Sequence, residues 1–468
     1  KDDLFGEFGI QSKSNYSFRT DGITFVAIDG CPRHGLAAPY NFFGALRKDA
    51  IDELERVLGD VPEPGDYVVL LGHYPPVTLQ SQRSSKGTSF AQLTNQADFY
   101  LTGHLHKFLF GLGETIKAVQ PNGLKDFELA DLKQHKAFRV GVLDQGSLTF
   151  HDFVLGQDPF ICLLTPEDAR WSITQDHDSA RVLVFSKQKV ASVSARFGQN
   201  AIDFAQDKSN EKLWTANVKL KSAGTVQISV QLETGSSHSI SRNFSFEHLI
   251  PSKDFGTYLL RWDFRYFVIC SFSIAYLALL SAFILAFLKL NHSESTPRYL
   301  SIFRDTKLSI GIIAWLCYLA VGPWFCGCLS SSGLSFVFLQ GILQATGQWT
   351  IILDTWFYAA VHFFTFIIPS ILLLCIYSMK PIENIPQTSS NESAEGEDIP
   401  IIATCETSRK WFRSAPFKFL IALWFGFGIS RISFVLLNYG LLTAIISPAY
   451  TWYTLWFAYK LVDLSRRN

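Results

Sequence analysis

The chain has 468 residues, of which 48% are apolar and 18% charged, and its 41 Lys and Arg are balanced by 41 Asp and Glu. A formal net charge of zero supplies no basic field for nucleic acid, so no nucleic-acid partner is expected. The length exceeds one ordinary domain, and near Arg265 frequent charges give way to long runs of Phe, Leu, Ile and Trp, so the two halves are expected to have different solvents.

Lys1 to Phe8 contain neither an initiator Met nor an apolar signal segment, and the sole Met is Met379, so the chain is expected to be a fragment or an alternative product. TFVAID, Thr24 to Asp29, predicts a strand, and KDAIDELERVLG, Lys48 to Gly59, predicts a helix with Ile51, Leu54 and Leu58 on one face. A strand follows from Tyr67 to Leu71, entering LLGHYPP, and a short helix around Ser89 to Gln96 leads into the strand ADFYLTGHLH. Phe138 to Leu155 predicts a strand pair turned at Asp144 to Ser147. Alternating strands and helices predict an α/β module over 1–157.

Over 158–250 the pattern changes to short strands between polar turns: PFICLL, RVLVFS, VASVSARF, LWTANVKL, GTVQISVQLE and SISRNFSFE. Val226, Ile228, Val230 and Leu232 alternate with Gln227, Ser229 and Gln231, as a strand with one buried face requires. This predicts an all-β sandwich of immunoglobulin-like or fibronectin-like type, without a bracketing cysteine pair. Only Cys31 and Cys162 of the eight cysteines precede the membrane half, so no disulfide framework is expected.

The region 264–462 predicts about five membrane spans: Phe267 to Leu288, Leu308 to Leu329, Ile351 to Met379, Phe417 to Leu437 and Leu441 to Tyr459. The last two form either a tight helical hairpin or one broken span. A disordered loop rich in Pro, Ser and acid residues is expected near 381–408. Lys289, Arg298, Arg304, Lys307, Lys380, Arg409, Lys410, Arg413, Lys460, Arg466 and Arg467 fall in the first and third loops and after the last span. The positive-inside bias then puts these and the carboxy terminus in the cytosol, with the amino-terminal half lumenal or extracellular. The triplets at Asn15 and Asn243 are glycosylation acceptors on that side.

Gly72-His73 closes one predicted strand and Gly103-His104-Leu105-His106 another. Strand ends are where α/β folds build sites, glycine lets the chain turn, and a neutral imidazole can present a lone pair to a metal. His73, His104 and His106 are therefore candidate metal ligands. His34 is expected in a surface loop and His151 to pack or face solvent. Cys317, Cys326 and Cys328, in or beside an apolar span, suggest packing or acylation. Arg431 and His362 lie inside predicted spans, where an ionisable group is a functional candidate or, for Arg431, a structural one paired with Asp354 or backbone carbonyls.

NFFGAL after the CPRHGL loop, LLGHYPP, YLTGHLH and FELADLK…FRVGVLDQGSLTFHDF resemble the calcineurin-like metallophosphoesterases, and more closely the transmembrane protein sixty-two family. The resemblance covers essentially the whole chain. It implies a metallophosphoesterase module, a sandwich domain and a multi-span membrane region. It also implies two divalent metals (Zn, Mn or Fe), with His73 and His104 on the second and His106 on the first, and hydrolysis of a phosphate ester. The family's earlier blocks, an Asp-x-His, a Gly-Asp-x-x-Asp and a Gly-Asn-His, are absent, so the chain by itself is expected to be inactive. A non-catalytic receptor or scaffold, or a transporter with a regulatory soluble half, is the alternative.

Overall fold

The computed structural model describes residues 15–31, 36, 39–60, 63, 65–106, 116–174, 178–220, 222–250, 253–290, 305–330, 333–378 and 415–467. His34, Met379, the loop near 381–408 and the basic residues Arg298, Arg304, Lys380, Arg409, Lys410 and Arg413 lie outside the described residues. The chain forms two compact units: one runs to Cys31 and resumes over Gly44–Asp263, and the other comprises Pro32–Phe43 and Phe264–Asn468.

The first unit begins with β1 (Asn15–Thr20), β2 (Ile23–Ile28), β3 (Gly44–Leu46), α1 (Lys48–Asp60), β4 (Tyr67–Gly72) and β5 (Leu79–Ser81). It continues with α2 (Phe90–Leu93), β6 (Phe99–Thr102), β7 (Lys117–Val119), β8 (Lys125–Glu128) and the hairpin β9 (Ala137–Asp144) and β10 (Ser147–Val154). The main sheet has the order β1-β2-β4-β6-β8-β7. Its four central strands are parallel. A parallel sheet is apolar on both faces because its crossovers cover it. Accordingly Val68 and Leu70 pack with α1 on one face, while Val69, Phe99 and Phe127 pack with Leu148 on the other. The predicted helix face of Ile51, Leu54 and Leu58 is buried. The short helix at Ser89 is held by a capping box with Gln92, and the hairpin turns on Gln145 and Gly146, both at positive φ, as a two-residue turn of the primed type demands.

Two four-stranded antiparallel sheets follow: β11 (Phe160–Thr165), β12 (Ser179–Phe185), β16 (Leu213–Asn217) and β15 (Ala205–Gln206) in one, and β14 (Asn200–Asp203), β13 (Val190–Phe197), β17 (Gly224–Leu232) and β18 (Ser237–Phe244) in the other. Val226, Ile228 and Val230, with no exposure, face Val182, Val184 and Trp214 in one core. The Asp144 carboxylate at the hairpin turn takes the Arg181 guanidinium of β12 at 2.7 Å, joining hairpin to sandwich.

One glycosylation acceptor needs correction. Asn15 is 1% exposed. Its Nδ2 donates to the Ala50 carbonyl at 2.8 Å and its Oδ1 accepts the Asp29 N–H at 3.1 Å, so the side chain that would carry a glycan is committed to the fold. Asn243 is exposed.

Among the described residues of the second unit, three helices are long and apolar enough to cross a membrane: Arg265–Leu288, Leu353–Ile376 and Ile421–Tyr439. The predicted span from Leu308 to Leu329 is instead a 16-residue helix, Thr306–Val321, followed by β19 (Phe325–Ser330). Gly322-Pro323 ends the helix, since proline has no N–H to continue it, and the Trp324 N–H turns to the Val337 carbonyl at 2.7 Å. β19 then forms an antiparallel meander with β20 (Gly333–Phe338), β21 (Gly341–Leu343) and β22 (Trp349–Thr350). The predicted span from Leu441 to Tyr459 is broken: Leu441–Ile446 is helical, Pro448–Trp452 is a π-helical turn, and Tyr453–Arg467 is helical again.

Candidate functional site

β4 and β6 are neighbours in the sheet, so the loops leaving their carboxy ends emerge side by side. The first carries His73 and the second His104 and His106. Glycine at the first exit is a steric requirement: a Cβ on Gly72 would sit 2.5 Å from the Tyr100 hydroxyl, which donates to the Tyr74 carbonyl at 2.8 Å. The two loops are tied directly, because the Gly103 N–H donates to the His73 carbonyl at 3.2 Å.

This brings His104 Nδ1 to 3.1 Å from His73 Nε2, with the two rings edge to face. Two imidazole nitrogens bound at about 2.0–2.1 Å to one tetrahedral zinc are roughly 3.3 Å apart, so the pair has the spacing of two ligands on a common ion. Partial burial, with the positive potential of His106, lowers the His73 pKa and favours the neutral ring that ligation needs.

His106 takes a different course. Its backbone sits at φ 54, and its Nδ1 lies 3.2 Å from Asp131 Oδ2. The same carboxylate oxygen is 2.8 Å from His135 Nδ1. Among the described residues no group of three His, Cys, Asp or Glu side chains is placed to hold a metal. Two imidazoles, His73 and His104, are thus brought together at this edge, and His106 is turned to a carboxylate beside them.

Two acidic residues support these loops and were not singled out from the sequence. Glu128 ends β8 beside β6 and is 3% exposed. One of its oxygens accepts the Leu105 N–H at 2.5 Å and the His106 N–H at 3.1 Å, and the other accepts the Thr102 hydroxyl at 2.7 Å. Burial pushes its pKa up to about 7, against the lowering pull of those donors. Asp131 follows three residues later. The Gln134 N–H, then His135 and the charge of His106, outweigh its desolvation and bring it down to about 2. His106, Asp131, Gly72, Gly103 and Arg139 line an open cavity of about 390 Å³. The signal was present in the segment FELADLK, where acids stand at and just beyond an apolar strand end.

His151 is packed, as expected of a strand-pair residue, at 7% exposure. Its Nε2 is 3.1 Å from the Thr149 hydroxyl and its Nδ1 is 3.5 Å from an Arg242 nitrogen. Arg431 is not paired with Asp354. The Asp354 carboxylate accepts the backbone N–H of Phe42 at 2.7 Å and of Phe43 at 3.3 Å, whereas Arg431 lies against aromatic rings.

No family model matches the chain. It is 24% identical over 365 residues to Transmembrane protein 62 of Mus musculus, covering 73% of this chain and 55% of that protein. It is also 22% identical over 257 residues to an Arabidopsis thaliana protein that carries a provisional metallophosphoesterase name, covering 42% of this chain and 34% of that protein. The resemblance to the transmembrane protein sixty-two family thus holds, and the chain spans about half the length, or less, of these curated relatives. Among solved structures, a Cellulomonas fimi endo-beta-1,4-mannanase double mutant matches at a TM-score of 0.15 and 22% identity, covering 19% of this chain and 18% of that one. Likeness on that scale carries no structural argument.

Proposed function

We propose that the first unit is the carboxy-terminal part of a metallophosphoesterase-type module, that its two-sheet region is an immunoglobulin-like sandwich, and that the second unit anchors both in a lipid bilayer. The observation that carries the reading is the 3.1 Å approach of His104 Nδ1 to His73 Nε2 at adjoining parallel strand ends. His73 and His104 would hold one divalent ion, zinc, manganese or iron. His106, with Nδ1 donating to Asp131, keeps Nε2 as the lone pair available to a second. Such ions, when bound, lower the pKa of water and clamp the oxygens of a phosphate ester undergoing in-line displacement.

The chain's own residues do the positioning. Glu128 holds the Leu105 and His106 backbone, and Asp131 fixes the His106 tautomer. The cavity beside them admits a phosphate-bearing substrate. The bridging carboxylate and leaving-group histidine of the family pattern are absent from these 468 residues, so little hydrolysis is expected of this chain alone. The cytosolic side is assigned to the carboxy terminus and the opposite side to the first unit, on the distribution of Lys and Arg.

Metal titration of the purified chain tests the site without requiring turnover. Zinc or manganese should bind with a stoichiometry that falls in His73→Ala and His104→Ala, with thermal stability of the metal-free protein preserved. Unchanged uptake in the double variant would remove the site. Brisk metal-dependent cleavage of an aryl phosphate by the chain as it stands would show that the missing blocks are dispensable.

A further inference from the structure

The second unit holds polar chemistry that the phosphoesterase reading leaves unused. Arg431 is near the middle of Ile421–Tyr439, and His362 near the middle of Leu353–Ile376. A guanidinium at the centre of a span is costly to insert and ordinarily meets a counter-charge. The only carboxylate within the three long apolar helices is Asp354, and it serves Phe42 and Phe43. Among the described residues Arg431 makes no ion pair. Its guanidinium carbon lies 5.1 Å from the Tyr450 ring, 5.3 Å from Phe427 and 5.8 Å from Phe366. It donates at 3.4 Å to the Thr365 hydroxyl. Ring faces attract a cation but do not neutralise it.

His362 flanks two of the same rings, its centroid 4.9 Å from Tyr450 and 5.4 Å from Phe366. It has no exposure. Nε2 is 3.1 Å from the Ala449 carbonyl, which only accepts, so Nε2 carries the hydrogen. Nδ1 is then a buried lone pair, and no hydrogen-bond partner meets it among the described residues. The backbone is irregular at the same place: His362 precedes the π-helical turn Phe363–Ile367, and Tyr450 lies in the π-helical turn Pro448–Trp452. Such turns are rare and occur frequently at functional sites.

An uncompensated cation beside a buried acceptor describes a ligand with a negative oxygen and a hydroxyl. We infer that Arg431 and His362, on either side of the Tyr450 and Phe366 ring contacts they share, form a binding site for a protonated oxyanion of the phosphate class, either dihydrogen phosphate or the monoanion of a phosphate monoester. The charged oxygen takes Arg431, and the acid O–H donates to His362 Nδ1. This site is independent of the histidine pair on β4 and β6.

Binding is measured on the whole chain in lipid nanodiscs, with chelator present so that no metal-held site contributes. One arm adds inorganic phosphate to phosphatidylcholine discs. The other compares discs with and without phosphatidate, a lipid phosphate monoester. At pH near 6 at least one arm should show saturable binding that fades as the dianion replaces the monoanion. Arg431→Gln should weaken binding at least about a hundredfold. His362→Gln keeps the Nε2–H donor to Ala449 but loses the acceptor, and should weaken binding about tenfold with an unchanged melting temperature. Binding in the first arm identifies a free phosphate, and binding in the second alone a lipid headgroup; both support the site. Absence of binding in both arms, or equal binding by wild type and His362→Gln, overturns it.

Discussion

The junction between the β9–β10 hairpin and the sandwich should loosen in acid through one histidine. His151 is 7% exposed, and its burial, with the charges of Arg242 and Lys117 against the opposing Asp152 and Asp168, drives its pKa from 6.5 down to about 3. A histidine whose folded pKa is depressed contributes stability that is fully present above the unfolded value and is lost as pH falls through the window from 6.5 to about 3. At pH 5 the unfolded ring is almost wholly protonated and the folded one is not, which amounts to about 2 kcal/mol relative to pH 7. His151→Gln retains a neutral hydrogen-bonding side chain and removes the titration. Amide-exchange protection factors for β10 and β18, measured on the detergent-solubilised chain, should fall about thirtyfold more in wild type than in His151→Gln between those pH values, wherever exchange reports this opening. Parallel pH profiles would refute the assignment, because they would show that the buried imidazole is not the group binding the proton.

Two further outcomes follow from buried polar bookkeeping. Glu128→Ala strands the Leu105 and His106 N–H groups and the Thr102 hydroxyl; at about 1–3 kcal/mol for each unpaired group, exchange at Leu105 and His106 should rise at least tenfold while α1 is unaffected, and unaltered protection there would deny the clamp. Glycosidase should remove a mass increment that Asn243→Gln abolishes and Asn15→Gln does not, whereas Asn15→Gln should lower the melting temperature by breaking the bonds to Ala50 and Asp29; a glycan on Asn15, or none on Asn243 in a glycosylating host, would count against the proposed orientation or the packing.

The strands and α1 were legible because burial imposes a period. Leu54 and Leu58 recur on one helix face, Val226 through Leu232 alternate, and Tyr67 to Gly72 is continuously apolar, and each pattern has one economical structural solution. Hydropathy fails where that uniqueness is lost. Phe325 to Leu329 is as apolar as a helix extension, yet Gly322-Pro323 and the alternation of β20 make it a strand, and composition averaged over a span-length window cannot separate the two. Asn15 shows the same limit at one residue. The acceptor triplet is a local pattern, but the burial that disqualifies it comes from Ala50, 35 positions away.

The candidate site divides along a similar line. The approach of His73 to His104 was legible because each lies just beyond a parallel strand, and parallel neighbours place equivalent loops together. Their partners come from elsewhere in the chain, and their chemistry depends on how far each is desolvated. Glu128 and Asp131 are separated by three positions, yet burial lifts one to about 7 while hydrogen bonds hold the other near 2. The first is therefore suited to bind backbone N–H groups inside the sheet edge. The second remains an ionised carboxylate at the cavity, facing His106 and His135. That separation explains why His106, though only two residues from His104, is not simply a third member of the histidine pair: its backbone is fixed by the buried acid and its ring is drawn to the partly exposed one. A metal at the His73–His104 corner and an ion at His106 Nε2 would then experience different fields, the second set by Asp131, so replacing that carboxylate should affect occupancy at His106 before it affects the pair.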